Sequence, residues 1–235
     1  MNDTLNFSML SRRAGGRNMT EKILVAPSIL SGDFAEMGEA VRKLEEWGGD
    51  YVHCDVMDGM YVTNITFGMP MIAALRKRTA LPLDVHLMIT EPERYVEKFV
   101  EAGADIVTFH PEASKDPAEV LKTVRAKGVK AGIVFNPDVD IEKYAELFPL
   151  CDMITVMTVY AGRGGQSLIP WCIDRIKLVK ELLAAKGLDI PVDADGGIGE
   201  SNANLVKEAG ATVLVAGNSV YKSPDPKKTV ASLKA

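Results

Sequence analysis

The sequence predicts one α/β domain, a (β/α)8 or TIM barrel, on three observations. Eight short β-branched runs alternate with eight helical patterns, as βαβ units around a parallel sheet do. Glycines recur where helices hand over to strands, in Trp47-Gly48-Gly49-Asp50, Ala102-Gly103-Ala104-Asp105 and Ala209-Gly210-Ala211-Thr212. Their spacing fits whole multiples of a two-strand, two-helix unit. No Gly-x-Gly-x-x-Gly follows the first strand, which removes the main sign of an open dinucleotide-binding sheet.

The elements follow in order. Ile23, Leu24 and Val25 open strand 1 over 23–27, and a helix starts near Phe34. Tyr51, Val52 and Val56 mark strand 2 over 51–56, with a helix near Met69. Leu83, Val85 and Leu87 mark strand 3 over 83–87, with a helix near Pro92. Strand 4 is the run 106–109, followed by a helix near Pro117, and strand 5 is 131–135, followed by a helix near Ile141. Strand 6 over 153–157 leads to a helix near Pro170, strand 7 over 190–194 to one near Ser201, and strand 8 over 213–216 to one near Asp225.

Bulk properties narrow the function. A chain of 235 residues with 47% hydrophobic content makes one barrel-sized domain. A net charge of -5 argues against nucleic acid as a main partner. No apolar run reaches the roughly 18 residues of a membrane span. Cys54, Cys151 and Cys172 are few, odd in number and set among apolar residues, as in a reduced cytoplasmic protein. Residues 1–20 carry Arg12, Arg13, Arg17 and Gly15-Gly16 with little periodicity. They read as a disordered N-terminal extension ahead of a barrel domain over 21–235.

The most informative segments put metal-binding groups into apolar strands. They are His53-Cys54-Asp55-Val56-Met57-Asp58-Gly59 and Asp84-Val85-His86-Leu87-Met88. Side chains alternate along a strand, so His53 and Asp55 share a face that Cys54 does not. Strands this apolar are covered on both faces, where an unpaired carboxylate is costly. A divalent cation offsets that cost. With Val192-Asp193-Ala194-Asp195-Gly196-Gly197, the pattern points to a metal centre of two histidines and two carboxylates. The unusual residues gather at the C-terminal strand ends, the end where such barrels do their chemistry: Ser28, His53, Asp55, His86, His110, Met157, Asp195 and Gly217.

Three glycine-bearing loops follow strands 6, 7 and 8. They hold Gly162, Arg163, Gly164 and Gly165, then Gly196 and Gly197, then Gly217 and Asn218. Backbone N–H groups approach a phosphate most closely where there is no Cβ. Met57, Met88 and Met157 stand on the same rim, where polarizable sulfurs shield a reactive intermediate from water without donating a proton.

Together these residues resemble the ribulose-phosphate 3-epimerase family over nearly all of the chain after residue 22. The likeness rests on Ala26-Pro27-Ser28-Ile29-Leu30-Ser31-Gly32-Asp33-Phe34, the His53–Gly59 segment, Asn64-Ile65-Thr66-Phe67-Gly68, Pro82–Met88, Gly164-Gly165-Gln166-Ser167 and Asp195-Gly196-Gly197. It implies one divalent ion (Zn, Fe, Mn or Co) on His53, Asp55, His86 and Asp195. It implies Asp55 and Asp195 as the acid/base pair, and substrate contacts from Ser28, His86 and the three glycine loops. It implies a sugar-phosphate substrate, D-ribulose 5-phosphate first and D-allulose 6-phosphate second, and a homo-oligomer, dimer or hexamer. The chemistry agrees with the residues. Inverting a carbon beside a carbonyl needs a proton removed from one face and returned to the other, which two carboxylates can do.

The chain departs from the family pattern on the loops. Met60-Tyr61-Val62-Thr63 stands where His-Phe-Val-Pro is usual, Tyr160-Ala161-Gly162-Arg163 where Asn- or Asp-Pro-Gly-Phe is usual, and Asn218 where serine or threonine is usual. None is a ligand, so the departures bear on substrate identity rather than reaction type. Two other classes compete. A phosphate-binding lyase or decarboxylase barrel relies on a rim lysine, which no strand carries inside. A non-catalytic sugar-phosphate sensor has no need of intact ligands. His110, the remaining histidine, reads as a polar residue of the rim or one that backs a ligand.

Overall fold

The structure, a computed structural model, describes residues 22–235. The extension expected over residues 1–20 lies outside the described residues. The strands are β1 (Leu24–Pro27), β2 (Val52–Met57), β3 (Leu83–Met88), β4 (Ile106–Phe109), β5 (Lys130–Phe135), β6 (Met153–Met157), β7 (Val192–Asp195) and β8 (Val213–Ala216). All pair in parallel, in the order β1-β8-β7-β6-β5-β4-β3-β2. The two ends of that order meet through a bridge between Ser28 and His53, so the sheet curls into a nearly closed barrel. The seam of the barrel therefore lies beside two residues of the candidate site.

The helices are α1 (Met37–Trp47), α2 (Met69–Arg76), α3 (Val96–Glu101), α4 (Pro117–Ala126), α5 (Cys172–Ala185), α6 (Ala203–Ala209), α7 (Asn218–Tyr221) and α8 (Pro226–Lys234). α4 and α8 start alike: Asp116 and Asp225 each accept an N–H three residues on, at 3.0 Å, with proline in the first turn. α1 and α6 end on Gly48 and Gly210, both with positive φ.

Three expectations need correction. The fifth connection is a 3-10 helix, Glu142–Leu150, rather than an α-helix. Pro149 lies inside it, has no N–H for an α-helical bond, and its ring would meet the carbonyl four residues back. Strand 7 runs two residues later at its start and one at its end than 190–194, because Pro191 cannot donate to a ladder. An additional short helix, α7, follows β8 directly.

Outward strand residues such as Val25, Val52, Cys54, Val85, Leu87, Val107 and Phe109 pack against helix residues including Val41, Leu44, Ile72, Leu75, Phe99 and Leu121. Each fully buried side chain of this kind contributes about 1.5–3 kcal/mol. Inside the barrel, Ala26, Ile106, Met153, Val213 and Val215 fill one end. The other end is polar, and there the site is built.

Candidate metal centre and substrate pocket

Register brings the polar residues together. β2 and β3 set His53 beside Asp84, Asp55 beside His86 and Met57 beside Met88. β6 and β7 set Thr155 beside Asp193 and Met157 beside Asp195. Parallel neighbours project to the same face, and alternation sends this set inward.

Four of these side chains face one point. His53 Nε2 lies 3.4 Å from Asp55 Oδ1 and 3.6 Å from Asp195 Oδ2. His86 Nδ1 lies 3.7 Å from Asp55 Oδ1 and 3.6 Å from Asp195 Oδ2. His53 Nε2, His86 Nδ1 and Asp195 Oδ2 are buried with no hydrogen-bond partner among the described residues. Leaving such groups unpaired is costly. Ligand atoms 2.0–2.2 Å from one tetrahedral centre lie about 3.3–3.6 Å apart, so the observed spacing fits a shared divalent ion. Imidazole with carboxylate suits a transition metal.

Neighbouring groups orient the four. Asp84 Oδ2 is 2.7 Å from His53 Nδ1, which takes a ring proton there and turns Nε2 toward the centre. His86 Nε2 is 3.0 Å from His110 Nε2, leaving His86 Nδ1 on the inner side. The Ser28 hydroxyl donates to Asp55 Oδ2 at 2.5 Å. His53, Asp84 and Asp193 form a second cluster of donor atoms. There the proton between His53 and Asp84 takes the place an ion would need.

Charge follows from these contacts. Burial opposes ionisation of Asp55, but His53 and His86 outweigh it and hold the carboxyl far below its usual range. Burial also opposes charge on His53, and Asp55 and Asp84 outweigh it and raise that imidazole well above its usual value. Asp193 is pushed well upward, first by burial and then by Asp84. Burial pushes His110 down to about 4, which keeps it neutral near pH 7.

A cavity of about 240 Å³ opens above the four residues. It is smaller than the roughly 300–1,000 Å³ of drug-sized pockets, as a small phosphorylated sugar requires. Asp55 and Asp195 reach it, with Ser28 and the sulfur-bearing Met57, Met88 and Met157. Its mouth is formed by Gly162, Arg163, Gly164, Gly165, Gly196, Gly197, Gly217 and Asn218. His86 does not line it: that ring is fully buried behind the aspartates.

A model of the ribulose-phosphate 3 epimerase family matches residues 24–221. The chain is 45% identical over 213 residues to a ribulose-phosphate 3-epimerase of Bacillus subtilis, covering 90% of this chain and 98% of the relative. It is 43% identical over 218 residues to a ribulose-phosphate 3-epimerase of Synechocystis, covering 92% and 95%. The chain belongs to the ribulose-phosphate 3-epimerase family. Among solved structures, a 3-keto-L-gulonate-6-phosphate decarboxylase from Vibrio cholerae superposes with a TM-score of 0.67 at 16% identity, covering 91% of this chain and 96% of that one. At that identity the likeness concerns the barrel alone.

Within the family frame, the departures all lie at the rim. Tyr61 touches the His110 ring, with centroids 4.6 Å apart. Arg163 is exposed, and Asn218 begins α7. The one lysine on a described strand, Lys130, is exposed at the start of β5, away from the rim. Sequence reasoning missed Asp84, Ser31, Tyr61 and Glu112. Asp84 carried a signal, since it shares the inward face of β3 with His86. Ser31 carried one in the motif after β1. It lines the cavity, and its Oγ lies 2.5 Å from where a Cβ on Gly217 would sit. Tyr61 and Glu112 come from separate loops, and no spacing announces their contact.

Proposed function

We propose that this chain is a metal-dependent ketose-phosphate 3-epimerase, an isomerase that interconverts D-ribulose 5-phosphate and D-xylulose 5-phosphate. The observation that carries the reading is the convergence of buried, unpartnered His53 Nε2, His86 Nδ1 and Asp195 Oδ2 with Asp55 under a small polar cavity. His53, Asp55, His86 and Asp195 hold one divalent cation: Zn, Fe, Mn or Co. When bound, it supplies positive charge against the negative charge that builds on the substrate oxygens as the proton leaves.

The proton chemistry belongs to the protein. Asp55 stands on β2 and Asp195 on β7, with β8 and β1 between them in the barrel. One carboxylate removes the proton from C3, and the other returns a proton to the opposite face. The Ser28 hydroxyl holds Asp55 Oδ2 and fixes the direction of that carboxylate. Met57, Met88 and Met157 exclude water from the enediolate without protonating it. Backbone N–H groups of Gly197 and Gly217, with Asn218 and the loop 160–165, receive the phosphate. Family likeness also supports a homo-oligomer, dimer or hexamer, in the cytoplasm. No helix among the described residues is long and apolar enough to cross a membrane.

A second substrate, D-allulose 6-phosphate, is favoured by one observation. A groove of about 490 Å³ adjoins the cavity, lined by Thr63, Asn64, Tyr160, Arg163 and Gln166. It offers room and a guanidinium to a longer sugar. Comparing kcat/KM for the two ketose phosphates decides the matter, and the expected preference is for ribulose 5-phosphate. Arg163→Phe should raise KM about ten- to hundredfold, the worth of a charge-assisted hydrogen bond, and shift the preference. Unchanged kinetics on both substrates would remove Arg163 from recognition. Faster turnover of allulose 6-phosphate would replace the substrate assignment.

A further inference from the structure

A chain of hydrogen bonds runs from the loop after β6 to Glu112, whose carboxylate stands beside His110. The Ala161 N–H donates to Asn136 Oδ1 at 3.1 Å. A backbone amide can only donate, so the Asn136 amide is oriented, and its Nδ2 donates to the Tyr61 oxygen at 2.7 Å. The Tyr61 hydroxyl has one proton to place, and it goes to Glu112 Oε1 at 2.6 Å. The same Oε1 stands 3.5 Å from His110 Nδ1. His110 is fully buried, and its Nδ1 has no hydrogen-bond partner among the described residues.

These contacts set two histidine tautomers. An ionised carboxylate only accepts, so the His110 proton belongs on Nδ1 facing Glu112. His110 Nε2 is then an acceptor, and His86 Nε2, 3.0 Å away, is its donor. His86 Nδ1 is left bare toward Asp55 and Asp195. The other proton arrangement would put a hydrogen on His86 Nδ1, where a ligand lone pair is needed.

We propose that Tyr61 is a positioning residue for the metal ligand His86. Its hydroxyl steers Glu112 onto His110, fixes the tautomers of His110 and His86, and ties both through Asn136 to the loop over the pocket. The proposal rests on the metal-centre reading given above. Four loops, those after β2, β4, β5 and β6, are joined by it into one support for a single ligand nitrogen.

Two conservative variants of the full chain test it. Tyr61→Phe keeps the ring against His110 and removes one oxygen. Glu112→Gln keeps the shape and removes the carboxylate that only accepts. Zn²⁺ affinity is measured by competition with a chelator, and histidine tautomers by 15N chemical shifts in the metal-free chain. Glu112→Gln should lose about tenfold to a hundredfold in Zn²⁺ affinity, as supporting partners of ligands do. Tyr61→Phe should lose about two- to tenfold, the worth of one hydrogen bond. In the metal-free wild type the neutral His110 should be the Nδ1–H tautomer, and in both variants a mixture with Nε2–H. A merely structural role would lower the melting temperature without moving the tautomer. If Glu112→Gln does not fold, Tyr61→Phe carries the test alone. Wild-type affinity together with a wild-type tautomer in Tyr61→Phe would overturn the proposal. A wild type that binds no Zn²⁺ would defeat the metal centre instead, while the tautomer measurement would still judge Tyr61.

Discussion

Asp195→Asn should abolish epimerisation, lowering kcat by at least about 10²-fold and by up to about 10⁴-fold, the range for a positioned acid or base. Asp55→Asn should do the same. An amide keeps the size of the side chain but cannot take a proton from carbon. It also makes a poorer ligand, so bound metal is measured in the same preparations. The informative sample is one reloaded with metal under excess cation, where lost affinity no longer limits the rate. The two positions should then differ in one respect. Asp55 also accepts the Ser28 hydroxyl, at 2.5 Å, so its replacement disturbs the seam between β1 and β2 as well. A fully loaded Asn variant with normal turnover would remove that carboxylate from the proton transfer.

Gly197→Ala should raise KM for the sugar phosphate about ten- to hundredfold, as expected when charge-assisted contacts to phosphate are lost. Gly197 has φ +66°, and a Cβ there would lie 2.4 Å from Leu168 N and 2.8 Å from Gln166 O. Both are backbone atoms, so no side chain can swing aside. The loop between β6 and α5 must move, and it is a wall of the cavity. Gly187→Ala is the matched control. Gly187 has the same φ of +66°, but a Cβ there would have nothing within 4 Å. It should cost only the backbone strain, about 1–2 kcal/mol in stability, with KM unchanged. Thermal melts and steady-state kinetics on both variants separate strain from lost recognition. Equal KM in Gly197→Ala and wild type would remove this loop pair from phosphate binding.

The shared inward face of the candidate metal cluster was legible because a strand has a period of two. His53 and Asp55, and Asp84 and His86, each announce a shared face from their spacing alone. What spacing cannot give is the partner on the neighbouring strand. Asp84 sits opposite His53 because of the β2–β3 register, and that register is set by packing of whole strands. The support of His86 was hidden for the same reason: His110 and Glu112 follow β4, Tyr61 follows β2, and Asn136 follows β5. The short helix α7 escaped notice because the four residues Asn218–Tyr221 are too few to show a helical period. The fifth connection misled because its apolar spacing is helical, while Pro149 denies it the α-helical bond.

Solvent exchange during turnover is the most direct test of two-carboxylate proton transfer. The metal-loaded chain is given D-ribulose 5-phosphate in D2O, and the product is followed by NMR. Asp55 and Asp195 exchange their protons with solvent, so the D-xylulose 5-phosphate formed should carry one deuterium, at C3, with no label at other carbons. Product that keeps its original C3 proton, or a loaded enzyme that forms no xylulose 5-phosphate at all, would contradict the account.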